Sequence, residues 1–194
     1  MTGDGRAGGV PGTAPLKLRA HDAEDLRALA ACLQDALVPL ADVAYLKAEK
    51  RFVMVANRFM WECGAQAAPV PVPEPVEAST EAGTDARFEE AEGGPINYRV
   101  NCAVTFDRVR NVGFRGLDPR EKDQILNLLT IELEPGELEP GEVAPGAVRL
   151  VFAGGGAIRL EVRDLRCHLE DLGEPWPTHW RPNHAEAEPD SESI

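Results

Sequence analysis

Between Tyr98 and Phe106 the chain alternates without a break. Tyr98, Val100, Cys102, Val104 and Phe106 fall on one parity, and Arg99, Asn101, Ala103, Thr105 and Asp107 on the other. Successive side chains of an extended chain point to opposite faces, so this stretch reads as a strand with one face buried. Such a strand needs neighbours and a covering layer, which commits the chain to a sheet.

The same period recurs elsewhere. "LKLRA", Leu16 to Ala20, predicts a short strand. "DVAYL" and "RFVMVAN" flank the polar "KAEK" and predict a hairpin, with Phe52, Met54 and Ala56 on one face and Val53, Val55 and Asn57 on the other. "VRNVGFRGL" and "LTIELEP" read as further strands. "AVRLVFAGGGAIRLEVRDL" reads as a hairpin around Gly154, Gly155 and Gly156, with Val148, Leu150 and Phe152 facing Ile158, Leu160 and Val162.

Two stretches carry helix signals. Asp22 suits an N-cap, with Asp25 completing a near capping box, and Leu26, Leu29, Ala30, Leu33 and Leu37 follow a 3.6-residue stripe that Pro39 ends. Asp118, Pro119 and Glu121 occupy the N-cap, N1 and N3 positions of a second, short helix carrying Ile125, Leu126 and Leu129. The expected fold is therefore α+β: a mostly antiparallel sheet with two covering helices. Residues 16–57 and 109–162 share the order strand, helix, strand, strand, which is the order of an internal duplication.

Composition sets the boundaries. At 194 residues and 43% hydrophobic, the chain supports one core, expected over 15–182. Residues 1–14 are Gly-rich and read as an unstructured start. Residues 66–97 place Pro at every second position from Pro69 to Pro75 and then run acidic, which predicts a flexible insert of polyproline character. Residues 183–194 read as a disordered acidic tail. The net charge of −13 is concentrated in the insert and the tail, so the folded part is close to neutral. The start of the chain has no leader pattern and no apolar run approaches the ~20 residues of a membrane span, so a cytoplasmic protein is expected. Cys32, Cys63, Cys102 and Cys167 form no C-x-x-C pair and read as reduced, mostly buried thiols.

Several chemistries lack their residues. The only serines, Ser79, Ser191 and Ser193, lie in the insert and the tail, which argues against a serine hydrolase. There is no phosphate-binding glycine motif opening a helix. Cys167 and His168 are adjacent, so on a strand they face opposite ways and do not share one metal ion. Glu132, Glu134, Glu161 and Asp164 interleave with Arg149, Arg159 and Arg163, which suits a solvated sheet face with cross-strand ion pairs better than an acid–base pair. Arg99, Arg108, Arg110, Arg115, Arg120 and Lys122 form a basic cluster, but Asp107, Asp118, Glu121 and Asp123 share its window, which disfavours nucleic acid as the partner.

"NRFMWE", Asn57 to Glu62, leaves two readings open. In one, Phe59 and Trp61 cap the core while Arg58 and Glu62 pair at the surface. In the other, Trp61 is a platform and Arg58 an anion anchor, with Arg110 and Arg115 supplying further positive charge. The residues name no nucleophile, metal set or cofactor. A non-catalytic binding or adaptor module is the leading expectation, with an unknown protein partner. The alternative is a protein for a small anionic ligand, or an enzyme, with a pocket near Arg58 and Trp61.

Three blocks carry a family resemblance: "DAEDLRALAACLQDALVPLADVAYLKAEKRFVMVANRFMWE", "FDRVRNVGFRGLDPREKDQILNLLTIELEPG" and "GGGAIRLEVRDLRCHLEDLGEPW". Together they resemble the bacterial domain-of-unknown-function family 2948, over nearly the whole folded part. The resemblance implies a small cytosolic bacterial protein and assigns no catalytic residue. The insert at 66–97 and the extended ends depart from it.

Overall fold

The computed structural model describes residues 14–63, 97–134 and 146–178. The segments read as an unstructured start, Pro-rich insert and acidic tail lie outside these residues, except that Ala14 is described and the strand after the insert begins at Asn97.

In chain order the elements are β1 (Lys17–Ala20), α1 (Ala23–Cys32), β2 (Ala36–Pro39), β3 (Val43–Leu46), β4 (Arg51–Phe59), β5 (Asn97–Phe106), β6 (Val109–Arg115), β7 (Ile125–Glu134), β8 (Gly146–Phe152), β9 (Ala157–Val162) and β10 (Cys167–Thr178). All pairings are antiparallel, in the order β1-β10-β5-β4-β2-β7-β8-β9-β6, with β3 also on β4.

This order forces the sheet to fold over. β5 and β6 are separated only by Asp107 and Arg108, yet β6 lies at the far end of the order. β9 and β10 make the same jump through 163–166. Consecutive strands with such short links reach opposite ends only if the two ends come together. Arg108, at φ 60°, turns one corner, and its guanidinium holds Asp164 of the other corner at 2.8 Å. Asp107 N–H donates to Arg166 O at 2.9 Å across the two corners. Inner faces from both halves then share one core: Phe52, Met54, Cys102, Val104 and Phe106 from one half, and Val148, Leu150, Phe152, Ile158 and Leu160 from the other.

The strand at 97–106, the hairpin 43–59 and the glycine hairpin form as the period predicts, with Val148 opposite Leu160 and Leu150 opposite Ile158. The helices differ. α1 begins as expected, with Asp22 Oδ1 accepting from Glu24 N–H and Asp25 N–H at 2.9 Å each, and it packs Leu26, Leu29 and Ala30 against β1 and β7. It ends at Cys32, before Leu37. Asp35 takes a left-handed φ of 59°, and Leu37 belongs to β2, which bridges β4 and β7. Pro39 therefore closes a strand and not a helix.

The second expected helix is absent from this position. Asp118 Oδ1 accepts from Arg120 N–H at 3.0 Å, and Glu121 N–H donates to Asp118 O at 3.0 Å, so the start signal builds a single turn. The chain then runs out as β7. Ile125 and Leu129, expected on a helix's buried face with Leu126, are 66% and 43% exposed. β7 keeps Leu126, Leu128 and Ile131 inside by a register shift between Leu128 and Thr130, which absorbs the odd spacing. Pairing to β2 and β8 outweighs the local helix signal. One α-helix and a mostly antiparallel sheet remain among the described residues. Without the second helix, 109–162 does not repeat the element order of 16–57, so the structure does not bear out a duplication.

Candidate functional site

Two places on this frame gather the residues singled out by the sequence. The first is the C-terminal end of β4. Phe52, Met54 and Ala56 set the inward parity, and Arg58 is the next residue on it. Its side chain is fully buried, at 0% exposure. The surface ion pair expected for "NRFMWE" is thus half right: Arg58 does bind Glu62, but from inside the core face.

The guanidinium is held on two edges. Nε donates to Asp171 Oδ1 and Nη2 to Asp171 Oδ2, both at 2.7 Å. Nη2 also donates to Glu62 Oε1 at 2.7 Å, and Nη1 to Glu62 Oε2 at 3.0 Å. Burial alone would lower the Arg58 pKa; the hydrogen bonds to Asp171 and Glu62 outweigh it and raise it, so the group is a permanent cation. Asp171 is itself tied down: its Oδ2 accepts from Leu16 N–H at 2.8 Å and its own N–H donates to Leu16 O at 2.9 Å. The charged trio thus joins β4, β10 and the residue entering β1.

Around it lie further polar contacts. Arg99 Nη1 donates to Asn57 O and Oδ1 at 3.2 and 2.5 Å, and its Nη2 to Asp35 O at 3.3 Å. Burial lowers its pKa, which Asp35 partly offsets. Trp61 packs against Phe59 in a tilted contact, ring centroids 4.5 Å apart and planes at 49°, and donates Nε1–H to Gln34 O at 3.2 Å. Burial raises the Cys32 pKa and pushes Cys102 up to about 12, so neither is a ready thiolate.

The second place is β6, paired to β9 at one end of the sheet order. Arg110 and Arg115 lie here, exposed, with Phe114 36% exposed between them. Neither guanidinium has a hydrogen-bond or ion-pair partner among the described residues. The structure therefore separates the four candidates into two pairs: Arg58 and Trp61 at the end of β4, Arg110 and Arg115 on β6. The wider basic cluster also divides, since Arg99 is buried, Arg108 binds Asp164, and Lys122 Nζ donates to Leu40 O at 3.2 Å.

Of the carboxylates expected in a cross-strand ladder, Glu132 and Glu134 pair across strands with Arg149 and Arg159, while Glu161 pairs with Arg159 of its own strand and Asp164 with Arg108 and Arg166. Arg149 lies 3.0 Å from Glu132 and 3.6 Å from Glu134, and Arg159 lies 2.9 Å from Glu134 and 3.1 Å from Glu161. Cys167 points inward while His168 points out towards Asp107 at 3.5 Å. Among the described residues no three His, Cys, Asp or Glu side chains gather as a metal site, and no helix is long and apolar enough to cross a membrane.

Asp171 is the residue that sequence reasoning missed. Its signal was present: Cys167, Leu169 and Asp171 share one parity, so a carboxylate continues an apolar face just as Arg58 does on β4. Two opposite charges that each extend a buried face are a candidate pair.

The described residues form a mostly antiparallel β fold with one α-helix and a buried arginine–carboxylate clasp. The family model described as "Protein of unknown function (DUF2948)" matches residues 16–184, and the chain belongs to that family. No curated protein and no solved structure matches it.

Proposed function

We propose that this domain is a non-catalytic binding or adaptor module, working in the cytoplasm of a bacterial cell, that engages a protein partner through β6. The observation that carries the reading is the trio Arg110, Phe114 and Arg115: two guanidinium groups without partners among the described residues and an aromatic ring, all exposed on one outer strand. Exposed arginine and aromatic side chains are the residue types enriched where proteins bind proteins. The test is a photo-crosslinking residue placed at Phe114 and, as a control, at Arg27 on α1. A discrete intermolecular adduct at position 114 that disappears with Arg110→Glu and Arg115→Glu is expected. No adduct beyond the control overturns the reading.

A second reading, a site for a small anion at Arg58 and Trp61, has one observation in its favour. Glu62 is a carboxylate seated on the guanidinium with its side chain 35% exposed, so the outer edge of Arg58 already accepts the shape such a ligand presents. Acetate or phosphate that raises the melting temperature of Glu62→Ala above its effect on Arg27→Ala would support it; an equal effect would dismiss it.

A further inference from the structure

Resting on that reading, we infer that β6 receives its partner as an added strand, and that the partner segment is extended and acidic, with a carboxylate side chain lying beside Gly113. β6 pairs with β9 from Val109 opposite Val162 to Arg115 opposite Ala157, and no second strand pairs with it among the described residues. The register shift falls between Val109 and Asn111, so Asn111 to Arg115 run regularly. At its start the strand is already engaged, with Val109 N–H donating to Lys50 O and the Tyr45 hydroxyl to Val109 O and Arg110 O, so the row of backbone N–H and C=O groups that could template strand addition lies from Asn111 onward.

Gly113 leaves the sheet face open beside Arg159. It sits inside the strand, and its φ lies outside the left-handed region. A Cβ built there meets nothing within 4 Å. The fold of this chain thus makes no demand for glycine, although glycine weakens a strand interior. Such a glycine leaves room on the face for a side chain of an added strand to reach across it towards Arg159.

The charges name that chain. Gly113 lies opposite Arg159, Arg159 opposite Arg149, and Arg149 opposite Glu132, so one row across the sheet reads minus, plus, plus and then an empty position. Arg149 and Arg159 lean on the same Glu134. Arg115, two residues along on the same face as Gly113, has no partner among the described residues. A carboxylate at the next position of this row meets Arg159 across the glycine and Arg115 beside it. On the alternate face Phe114 offers apolar surface, so the segment alternates acidic and apolar residues.

The probe is a labelled, end-blocked peptide of alternating glutamate and valine as long as β6, with a lysine–valine copy and a glutamate–valine copy N-methylated on alternate amides. With the full chain, fluorescence anisotropy is expected to show binding of the first peptide alone. Gly113→Val is expected to keep the urea-unfolding midpoint at or above that of the unaltered protein and to weaken binding about tenfold or more, the equivalent of ~1.4 kcal/mol. Equal binding of the N-methylated peptide, or unchanged affinity in Gly113→Val, overturns strand addition. Binding of the lysine peptide instead overturns the acidic partner. No peptide binding overturns the inference, and the crosslink at position 114 then decides separately whether the module reading survives.

Discussion

Asp171 grips Arg58 through two parallel hydrogen bonds of 2.7 Å, between a side chain with no exposure and one with almost none. The partners are 113 residues apart, and the grip joins β4 to β10 while Asp171 also holds Leu16. Removing Asp171 leaves a buried guanidinium with one carboxylate edge missing. Asp171→Ala is expected to cost about 3–5 kcal/mol, while Glu62→Ala, at the exposed edge, costs about 1 kcal/mol or less. Urea unfolding of both variants checks this. Equal losses would show that the clasp is not organised by its buried half.

The buried thiols set an alkaline limit. Burial pushes Cys102 up to about 12 from its ordinary 9.0, and it raises Cys167 as well. Between those values the unfolded chain has released the Cys102 proton and the folded chain still holds it. This contribution to stability is therefore complete below about pH 9 and is lost as pH rises towards about 12. Cys102→Ala removes one proton from the difference and is expected to flatten the fall by ~1.4 kcal/mol per pH unit in that window. Unfolding midpoints measured from neutral pH upwards will show it; parallel curves for the two proteins would refute it.

Tyr45 ties the hairpin of β3 and β4 to the start of β6. Its hydroxyl lies 2.9 Å from Arg110 O and 3.2 Å from Val109 O. Tyr45→Phe keeps the ring and removes the donor, so a loss of about 1 kcal/mol is expected. Faster amide exchange at Val109 to Asn111 would accompany it. A loss of stability spread evenly through the domain would argue against a local tie.

Asp22 and Asp118 begin with the same local signal and end in different structures. Asp22→Ala removes a cap from a real helix and is expected to cost about 1 kcal/mol. Asp118→Ala removes one turn contact at the surface and is expected to change stability by less than about 0.5 kcal/mol. Thermal unfolding of the pair distinguishes them, and a larger cost at Asp118 would contradict a single surface turn at that position.

These four cases also show which parts of the fold were legible in the sequence. The period of two located β5, the β3–β4 hairpin and the β8–β9 hairpin together with their inward residues, because side-chain alternation is a property of the strand itself. The stripe of α1 and its cap were legible for the same local reason. β2 and the length of α1 were not, because the break at Asp35 is set by the place β2 takes between β4 and β7. β7 was hidden behind a helix start that the chain uses for a single turn. At the candidate site, Arg58 was visible as a residue of interest and its link to Glu62 was anticipated, but Asp171 was not.

By itself, then, the sequence determined the inward residues of β5 and of the two hairpins, the start of α1, and the membership of the family. It left open which strand lies beside which. Only the tertiary structure placed β6 at the opposite end of the order from β5, laid β10 along β5, and brought Asp171 onto Arg58. The reason is physical: periodicity records the environment of one segment, whereas strand order and the pairing of buried charges depend on which distant segments close on each other.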